Sequence, residues 1–557
     1  MSDSTIFGID LGTTHSCIAY IDEASGKPIV VANAEGDLTT PSVVLFDDTE
    51  TRVVGKEAKN AAVMYADRVV SMVKRQMGVA NWRFPIFEQD YTAEEISSYI
   101  LRKLAADAEA LLAAEVEKVV ITCPAYFGIS EREATAKAGK IAGLDVQAVL
   151  NEPTAAAIAF GMHNDSDQTV LVYDLGGGTF DVTMIEVRDG SVRVVATGGD
   201  HRLGGRDWDE AVVNYLAERW QQDTDSAEDP RDSEETLQDL WQHAEDGKRS
   251  LSARAEARIM ASHAGHRVAV PLTREKFDEL TAHLLERTVE YTRTVIGVAA
   301  ERGIGSFDKL LLVGGSTKMP QVAARLNEVF GVTPQSYDPD QSVAKGAAVY
   351  GQKLMIGERI KVEIAKIMGA PDAGADDEQV PSEVKKQAVG EVAAQAGLRD
   401  EDVEKFDKME VTNVASHSFG IVVLSDSEGR DQEVISNLVV AQDPVPASKT
   451  RTYATVTAGQ SRVDIRVMEN SSGDVTVPLA EGRPIGKATL KLSRGLPGGS
   501  PVDITFELEA DGRLKVTGQD VADPSTEISA VIKTDRGLSE EELRLATARA
   551  QGIRVNG

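Results

Sequence analysis

Two short stretches of the sequence combine an aspartate, glycines and threonines in the same order. Residues 10–14 read DLGTT and residues 174–181 read DLGGGTFD, each directly after an apolar segment. Glycine lets the backbone approach a ligand closely, and consecutive backbone N–H groups in such a turn can bind phosphate. Thr13, Thr14 and Thr179 add hydroxyl donors. The two stretches therefore predict a phosphate-binding site.

The aspartates of these turns require a cation if phosphate is to bind beside them. The carboxylates of Asp10, Asp174 and Asp181 would repel phosphate unless hydrated Mg²⁺ lay between the two. The alternative is that they are ordinary aspartates at turns and strand ends. Other phosphate motifs are missing, because no Gly-Lys pair is followed by Ser or Thr and no GxGxxG turn opens a helix. The matched turns favour the Mg²⁺ site.

The elements around these turns predict an α/β fold. Residues 10 and 174 are 164 positions apart, which indicates a duplicated domain because solenoid repeats have much shorter periods. A third glycine turn follows an apolar strand in KLLLVGGSTKMP (309–320). Between the strands, apolar residues recur at helical spacing over 92–115, 131–143 and 273–303. Such alternation is typical of α/β proteins.

The C-terminal third has a different pattern. Residues 353–410 contain the acidic segment PDAGADDEQVPSE between helical patterns, which predicts an insertion and a linker. Apolar and polar residues then alternate, as in RVDIRVME, which predicts a β-sandwich domain over 411–535. A short helix is predicted within 536–557, with Ser539 as its N-cap and Glu542 completing a capping box.

Length and composition limit the class of protein. A chain of 557 residues is too long for one core, and a net charge of −30 disfavours nucleic acid as a partner. No apolar run is long enough for a membrane span, and the N-terminus shows no secretory signal. Cys17 and Cys123 are the only cysteines and lie in apolar strand patterns. These features predict a cytoplasmic protein with small, buried cysteines.

Several motifs together resemble one family. In order, GIDLGTTHS, KRQMG, PAYF, NEPTAAAIAFG, YDLGGGTFDV, GGDHRLGGRDWD, LVGGST and DPDQSVAKGAAV are similar to motifs of the seventy-kilodalton heat-shock chaperones of the DnaK type. The match is good over 5–351 and weaker over 413–550. The resemblance implies an actin-like, ribonuclease H-like and duplicated ATPase domain of two lobes over 1–352, followed by a β-sandwich that binds extended hydrophobic peptides.

The resemblance also implies the roles of individual residues. The catalytic set would be Lys74, Glu152, Asp174, Thr179 and Asp181, and Mg²⁺ would be held mostly through water by Asp10, Asp174, Glu152 and Asp181. The local pattern alone would make Lys74 an exposed lysine on a helix and Glu152 a helix cap before Pro153.

The nucleotide would contact both glycine turns and one helix face. Glu245, Lys248 and Ser252 share that face, which could otherwise be solvated. Lys318 stands where the family has arginine, and because lysine stacks less well we expect weaker nucleotide binding. The implied set is Asp10, Gly12, Thr13, Thr14, Gly176, Gly177, Gly178, Thr179, Gly204, Gly205, Glu245, Lys248, Arg249, Ser252, Gly314, Gly315, Ser316, Lys318 and Asp340.

A peptide site is implied in the β-sandwich, although the same apolar residues could be ordinary core. The implied residues are Phe419, Ile421, Leu424, Tyr453, Val456, Val463 and Ile465. The family's cofactors are ATP or ADP with Mg²⁺, and K⁺ is a further candidate. The implied partners are unfolded or extended peptide segments, with a J-domain co-chaperone and a nucleotide-exchange factor as candidates.

The sequence departs from the family in three places. The interdomain linker, KMEVTNVASHSFG, is less apolar than usual, most of the helical lid is missing, and the segment after Gly78 is shorter. The favoured hypothesis is an ATP-hydrolysing chaperone that lacks the lid. A nucleotide-sensing module that binds a partner with little turnover is the alternative, and a sugar kinase on the same fold is a third hypothesis that the β-domain disfavours.

Overall fold

The computed structural model describes residues 5–161, 167–188, 190–369, 380–427, 430–493, 495–509, 512–532 and 538–557. Its first part contains strands β1 (Ile6–Asp10), β2 (His15–Ile21), β3 (Pro28–Val30), β4 (Thr40–Pro41), β5 (Val44–Phe46), β6 (Thr51–Val54), β7 (Val69–Val70), β8 (Phe84–Ile86), β9 (Gln89–Tyr91), β10 (Lys118–Cys123) and β11 (Asp145–Asn151). Its helices are α1 (Lys56–Ala61), α2 (Ala93–Leu112) and α3 (Ile129–Ile141).

The middle part contains strands β12 (Gln168–Leu175), β13 (Phe180–Arg188), β14 (Ser191–Asp200), β15 (Glu256–His263), β16 (His266–Thr273), β17 (Lys309–Val313) and β18 (Gln335–Ser336). Its helices are α4 (Glu152–Gly161), α5 (Gly205–Thr224), α6 (Glu234–Ala253), α7 (Arg274–Glu301), α8 (Pro320–Phe330) and α9 (Ser342–Ile367). The helices predicted over 92–115, 131–143 and 273–303 are confirmed as α2, α3 and α7.

The last part contains helices α10 (Ser382–Ala396), α11 (Asp400–Lys408) and α12 (Glu540–Gly552). Its strands are β19 (Val411–Val414), β20 (Ser418–Ser427), β21 (Arg430–Val439), β22 (Pro444–Val445), β23 (Ala447–Ala454), β24 (Arg462–Asn470), β25 (Thr476–Pro478), β26 (Arg483–Lys491), β27 (Pro501–Leu508), β28 (Leu514–Asp520), β29 (Asp523–Ile532) and β30 (Arg554–Asn556).

Two mixed sheets with the same local pairing form the first two-thirds of the chain. The first has the order β11-β10-β1-β2-β3, and β1 is antiparallel to β2 and parallel to β10. The second contains β18-β17-β12-β13-β14, and β12 is antiparallel to β13 and parallel to β17. The predicted mixed α/β architecture is confirmed. Asp10 and Asp174 lie at, or next to, the ends of equivalent strands.

Helix α9 packs tightly across the first sheet. A Cβ atom added at Gly8 would lie 2.2 Å from the backbone nitrogen of Ala348, so this contact requires glycine in β1. Helices α10 and α11 extend the same apolar core with Val389, Val403 and Phe406. The helical patterns predicted on both sides of the acidic segment are therefore confirmed, while residues 371–379 of that segment lie outside the described residues.

The β unit (residues 411–532) contains two sheets with one shared apolar core. Their orders are β25-β21-β20-β24-β26 and β23-β27-β28-β29. In β24 the predicted alternation is confirmed, because Ile465 and Val467 are buried while Asp464 and Arg466 are exposed. Phe506 of the second sheet belongs to the same core.

The linker docks as a strand despite its reduced apolar character. Strand β19 pairs in parallel with β14, with Val411 opposite Val192, and pairs with β22 of the β unit. Strands β19 and β22 together extend the second sheet to seven strands and join the rest of the β unit to it. Backbone pairing depends little on side-chain polarity, which explains how a less apolar linker can dock in this way.

The C-terminal segment (residues 538–556) returns to the first part of the chain. The predicted capping box of Ser539 and Glu542 begins α12 and is confirmed. Ala546, Ala550 and Ile553 join the core of the first part, and β30 pairs in parallel with β6. The sequence pattern predicted the helix but not its docking or the strand that follows it.

Both cysteines are buried free thiols, as predicted. Burial raises the pKa of the Cys123 thiol to about 11, so little reactive thiolate is present at neutral pH. Within the described ranges, no helix combines the length and the apolar character that crossing a bilayer requires.

Candidate functional site

A cleft of about 900 Å³ lies where the two aspartate turns face each other. A Cβ atom at Gly177 would lie 2.2 Å from Thr14 Oγ1, and one at Gly178 would lie 2.3 Å from Thr13 Cγ2. Both contacts are too short for any side chain. The glycines of the second turn are therefore required for the two turns to meet across the cleft.

The structure brings the predicted nucleotide and catalytic residues together. All of them line the cleft except Gly178, Gly204 and Asp181. Gly204 packs behind the second turn, where an added Cβ would lie 2.6 Å from the backbone of Gly178. Asp181 is buried, and its Oδ1 accepts a hydrogen bond of 3.0 Å from the backbone N–H of Ala125. Gly178, Gly204 and Asp181 therefore lie directly behind the residues that line the cleft.

Three carboxylates at the base of the cleft, those of Asp10, Asp174 and Asp181, have raised pKa values. Burial, reinforced by the charge of Glu152, raises the pKa of Asp10 to about 7 and raises the pKa of Asp174 and of Asp181 well above the ordinary range. A divalent cation would relieve this repulsion. Among the described residues, no group of three or more possible ligands is placed to hold a metal directly. The clustered buried carboxylates of Asp10, Asp174 and Asp181 fit a hydrated Mg²⁺ bound through its waters.

Lys74 and Glu152 form an ion pair inside this carboxylate cluster. Lys74 Nζ donates to Glu152 Oε1, and both side chains are buried. Burial alone would lower the pKa of Lys74, but the carboxylates of Glu152 and Asp10 outweigh it, so the pKa of the amine is raised. The cleft therefore holds a permanent positive charge next to its acidic base.

The third glycine turn closes the wall of the cleft on the side of the second sheet. Gly314 has φ +83°, and an added Cβ would lie 2.5 Å from Asp174 Oδ1. Ser316 Oγ donates a 2.9 Å hydrogen bond to the carbonyl oxygen of Gly176. The second and third turns are thus fixed to each other.

The residues predicted to contact adenosine form ion pairs in the structure. Glu245 lies 2.5 Å from Lys59 across the cleft and 3.2 Å from Arg249. Burial works against ionisation of Glu245, but Lys59 and Arg249 bring its pKa down to about 2. Lys248 lies 2.7 Å from Asp209. Contact of these residues with adenosine stays a prediction.

Lys318, the residue that departs from the family arginine, pairs with Asp340 in the cleft lining. Both are predicted nucleotide residues. The pair joins the third glycine turn to the segment before α9. Its effect on nucleotide affinity stays a prediction.

Arg75 is a site residue that the sequence analysis missed. Its Nε donates a 2.9 Å hydrogen bond to the carbonyl oxygen of Gly178, and its Nη2 lies 2.8 Å from Asp207 Oδ2. Asp207 in turn accepts from the backbone N–H of Gly204. Arg75 belongs to the first part of the chain and therefore fixes the second turn from across the cleft. No local pattern signals this, because the partners lie more than one hundred positions away.

The predicted peptide-binding residues fall into three groups. Phe419, Ile421 and Ile465 are buried in the core of the β unit, and Tyr453 and Val463 are partly buried against it. Leu424 and Val456 are exposed, at 47% and 63%. The buried positions agree with the alternative of ordinary core residues, and a peptide-binding role stays a prediction.

The β unit contacts helix α3 of the first part of the chain through an ionic network around the buried Glu469. Arg483 Nη1 lies 2.9 Å from Glu131 Oε1, and its Nε donates to Glu469 Oε2 at 2.9 Å. Glu469 also accepts from the backbone N–H of Ile129 at the start of α3. Glu469 is 1% exposed, so its charge depends on these partners.

The raised pKa of Asp10 leads to a prediction about the protein without ligand. Ionisation of Asp10 is penalised only in the folded state, so its contribution to the free energy of unfolding falls as the pH rises from about 4 to above 7. Asp10→Asn removes this penalty. We expect it to stabilise the ligand-free protein at pH 8 by about 1 to 4 kcal/mol.

If Asp10 holds hydrated Mg²⁺ beside a nucleotide, Mg-ATP should stabilise the wild type and should stabilise this variant less. Denaturant unfolding at pH 8, with and without Mg-ATP, measures both effects. Asp107→Asn is the control, because Asp107 pairs with Lys103 away from the cleft and its loss should destabilise. A destabilised Asp10→Asn that keeps its full response to Mg-ATP would contradict the prediction.

Two mixed sheets whose aspartate-glycine turns face each other across a cleft, with a β unit docked beside them, define a class of mixed α/β protein with an attached β-rich unit. Comparison with known proteins identifies the family. The family model for Hsp70 protein matches residues 6–364 and 385–554, and this chain belongs to the Hsp70 family. The resemblance seen in the motifs is thereby confirmed.

Two relatives have the same degree of similarity to this chain. Both are chaperone protein DnaK of Halobacterium salinarum, from strains R1 and NRC-1. Each is 36% identical over 551 residues, which covers 98% of this chain and 77% of the relative. Membership in this family supports a chaperone function, and proteins of the family bind ATP or ADP with Mg²⁺.

Proposed function

We propose that the chain is an ATP-dependent chaperone that binds and hydrolyses ATP in the cleft and binds extended hydrophobic segments through the β unit. The observation that carries the proposal is the meeting of the Asp10 and Asp174 turns over buried carboxylates and Lys74. Family membership supports the chaperone role. We further propose an actin-like, duplicated nucleotide domain over residues 1–352 and a β-sandwich peptide-binding domain over 411–535.

The proposed mechanism relies on positioning and charge stabilisation. Mg²⁺, when bound, would neutralise charge on the phosphates, with its waters held by Asp10, Asp174, Glu152 and Asp181. The backbone of the second turn and the Thr179 hydroxyl would hold the γ-phosphate. Lys74 would stabilise the charge that develops as water attacks.

Lys74 and Glu152 act as a unit in this mechanism. In the structure the lysine is held by the glutamate, so its Nζ is fixed at the base of the cleft. Exchange of that contact for phosphate oxygens would leave Glu152 free to orient water. The ion pair therefore holds Lys74 and Glu152 where the proposed mechanism needs them and keeps both charges away from solvent.

The test measures single-turnover hydrolysis of Mg-ATP and the dissociation rate of a labelled extended hydrophobic peptide with ATP or ADP bound. We expect slow hydrolysis and faster peptide release with ATP. Negligible hydrolysis, combined with the same rate of peptide dissociation in ATP and in ADP, would overturn the proposal in favour of a nucleotide-sensing module.

A further inference from the structure

An arginine in the cleft wall makes no hydrogen bond or ion pair through its side chain to any residue that the structure describes. Arg206, in the first turn of α5, lines the cleft, and its backbone N–H donates a 2.7 Å hydrogen bond to the carbonyl oxygen of Gly177. The guanidinium carbon lies 3.1 Å from the centroid of the Trp241 ring. Within the part of the chain that the structure describes, the guanidinium forms no hydrogen bond or ion pair.

The carboxylates around Arg206 are already paired with other cations. Glu210, one turn further along α5, is exposed, and the charges of Asp209, Glu245 and Glu210 attract Arg206 without a hydrogen bond or ion pair to it among the described residues. Arg206 is therefore a cation of this wall whose side chain has room for a direct anionic partner. The other pairs are Asp207 with Arg75 at 2.8 Å, Asp209 with Lys248 at 2.7 Å, and Glu245 with Lys59 at 2.5 Å and with Arg249 at 3.2 Å.

The position of Arg206 connects two parts of the cleft. Its backbone contacts the second glycine turn, where phosphate is expected, and its side chain stacks on α6, which carries the predicted adenosine face. Burial lowers the pKa of Arg206 to about 10, so the group stays charged at neutral pH. Stacking on an indole offsets only part of the cost of burying a cation. A ligand anion would supply the missing partner.

We propose that Arg206, held on the Trp241 ring, is an anion-binding subsite of the cleft that takes a phosphate group of the nucleotide. A planar guanidinium with five N–H donors binds phosphate oxygens in a bidentate manner. The phosphate can belong to the 5′ chain or be attached to the sugar, since both present the same oxygens. The inference rests on the proposed nucleotide-binding function.

The experiment compares wild type with Arg206→Gln by calorimetric titration with adenosine, ADP, ATP and adenosine 3′,5′-bisphosphate. We expect the variant to bind ATP and ADP roughly 10- to 100-fold more weakly and adenosine unchanged. A loss confined to the bisphosphate assigns the subsite to a sugar phosphate. An equal loss for adenosine, or no loss for any of the four compounds, overturns the proposal.

Matched variants separate this role from folding. Arg219→Gln, on the exposed side of the same helix and paired with Asp223, should leave all four affinities unchanged. Trp241→Leu should give a smaller loss with the same dependence on phosphate, since it removes only the platform. Arg206→Lys keeps the charge and should recover part of the ATP affinity, and a lysine variant no better than glutamine would count against an anion subsite.

The wild-type titration separates this proposal from the function on which it rests. Wild type that binds none of the phosphorylated compounds would overturn nucleotide binding and the subsite together. Wild type that binds ATP, with Arg206→Gln indistinguishable from it, would overturn the subsite alone.

Discussion

Replacement of Lys74 by alanine is expected to reduce Mg²⁺-dependent ATP turnover by about 10²- to 10³-fold while ATP still binds. Lys74 Nζ is fixed by Glu152 beside Asp10 at the base of the cleft. In the proposed mechanism, removal of its charge would leave the developing negative charge on the phosphoryl group without its cationic partner. Affinity should change less, because the glycine turns and the opposite wall proposed to bind the nucleotide are unchanged. Single-turnover hydrolysis and nucleotide titration measure the two effects separately.

Loss of Lys74 also leaves Glu152 unpaired among other carboxylates. The double variant Lys74→Ala/Glu152→Gln removes this secondary effect and should be at least as stable as the single variant, with turnover equally low. Lys103→Ala is the matched control, because Lys103 is also buried and ion-paired in the first lobe but lies outside the cleft. Unchanged turnover in Lys74→Ala would contradict the proposed mechanism.

Replacement of Arg483 by alanine is expected to release the β unit from the first lobe. Arg483 holds Glu131 of the lobe and Glu469 of the β unit, and Glu469 is almost completely buried. Removal of Arg483 leaves the buried Glu469 without its cation, and because Arg483 and Glu131 are partly exposed we expect a cost of about 1 to 3 kcal/mol, below that of a fully buried pair. Undocking would return Glu469 to solvent and avoid this cost, so we expect the interface to open.

Hydrogen exchange measures this opening directly. The amides of Ile129 and of the linker strand β19 should exchange faster in Arg483→Ala, because both are protected by docking contacts. Arg466→Ala is the matched control, since Arg466 forms an exposed pair with Glu433 in the same sheet and should have an effect below about 1 kcal/mol. Exchange at Ile129 that is equally slow in both variants would contradict the role of Arg483.

The effect of acid provides a second measurement of the same network. Burial would raise the pKa of Glu131, but Arg483 outweighs it and lowers the pKa. Docking stabilised by this carboxylate is therefore complete above the ordinary glutamate pKa and is lost as the pH falls through the lowered value. Arg483→Ala should remove this dependence.

Local signals in the sequence were enough to predict the elements and the phosphate turns. The strand before Asp10, the helical spacing over 92–115 and the capping box at Ser539 each depend on neighbouring residues, and each is confirmed. The sequence analysis attributed the glycines of the second turn to an approach of phosphate, which stays a prediction, whereas in the structure Gly177 and Gly178 are required by the contact with Thr13 and Thr14. The resemblance then gave the register of Lys74 and Glu152, which local pattern alone would have placed elsewhere.

Only the tertiary structure decided which distant residues meet. Arg75 and Gly178, Arg206 and Trp241, and Arg483 and Glu131 are pairs that no local pattern connects. The pairing of β30 with β6 is decided in the same way. The physical reason is that a charge or a sheet edge shows in the sequence only as a residue type, while its partner depends on how the lobes and the β unit pack. The sequence determined which charged residues the cleft contains, and the packing decided which of them pair with one another and that the Arg206 guanidinium stacks on Trp241 instead.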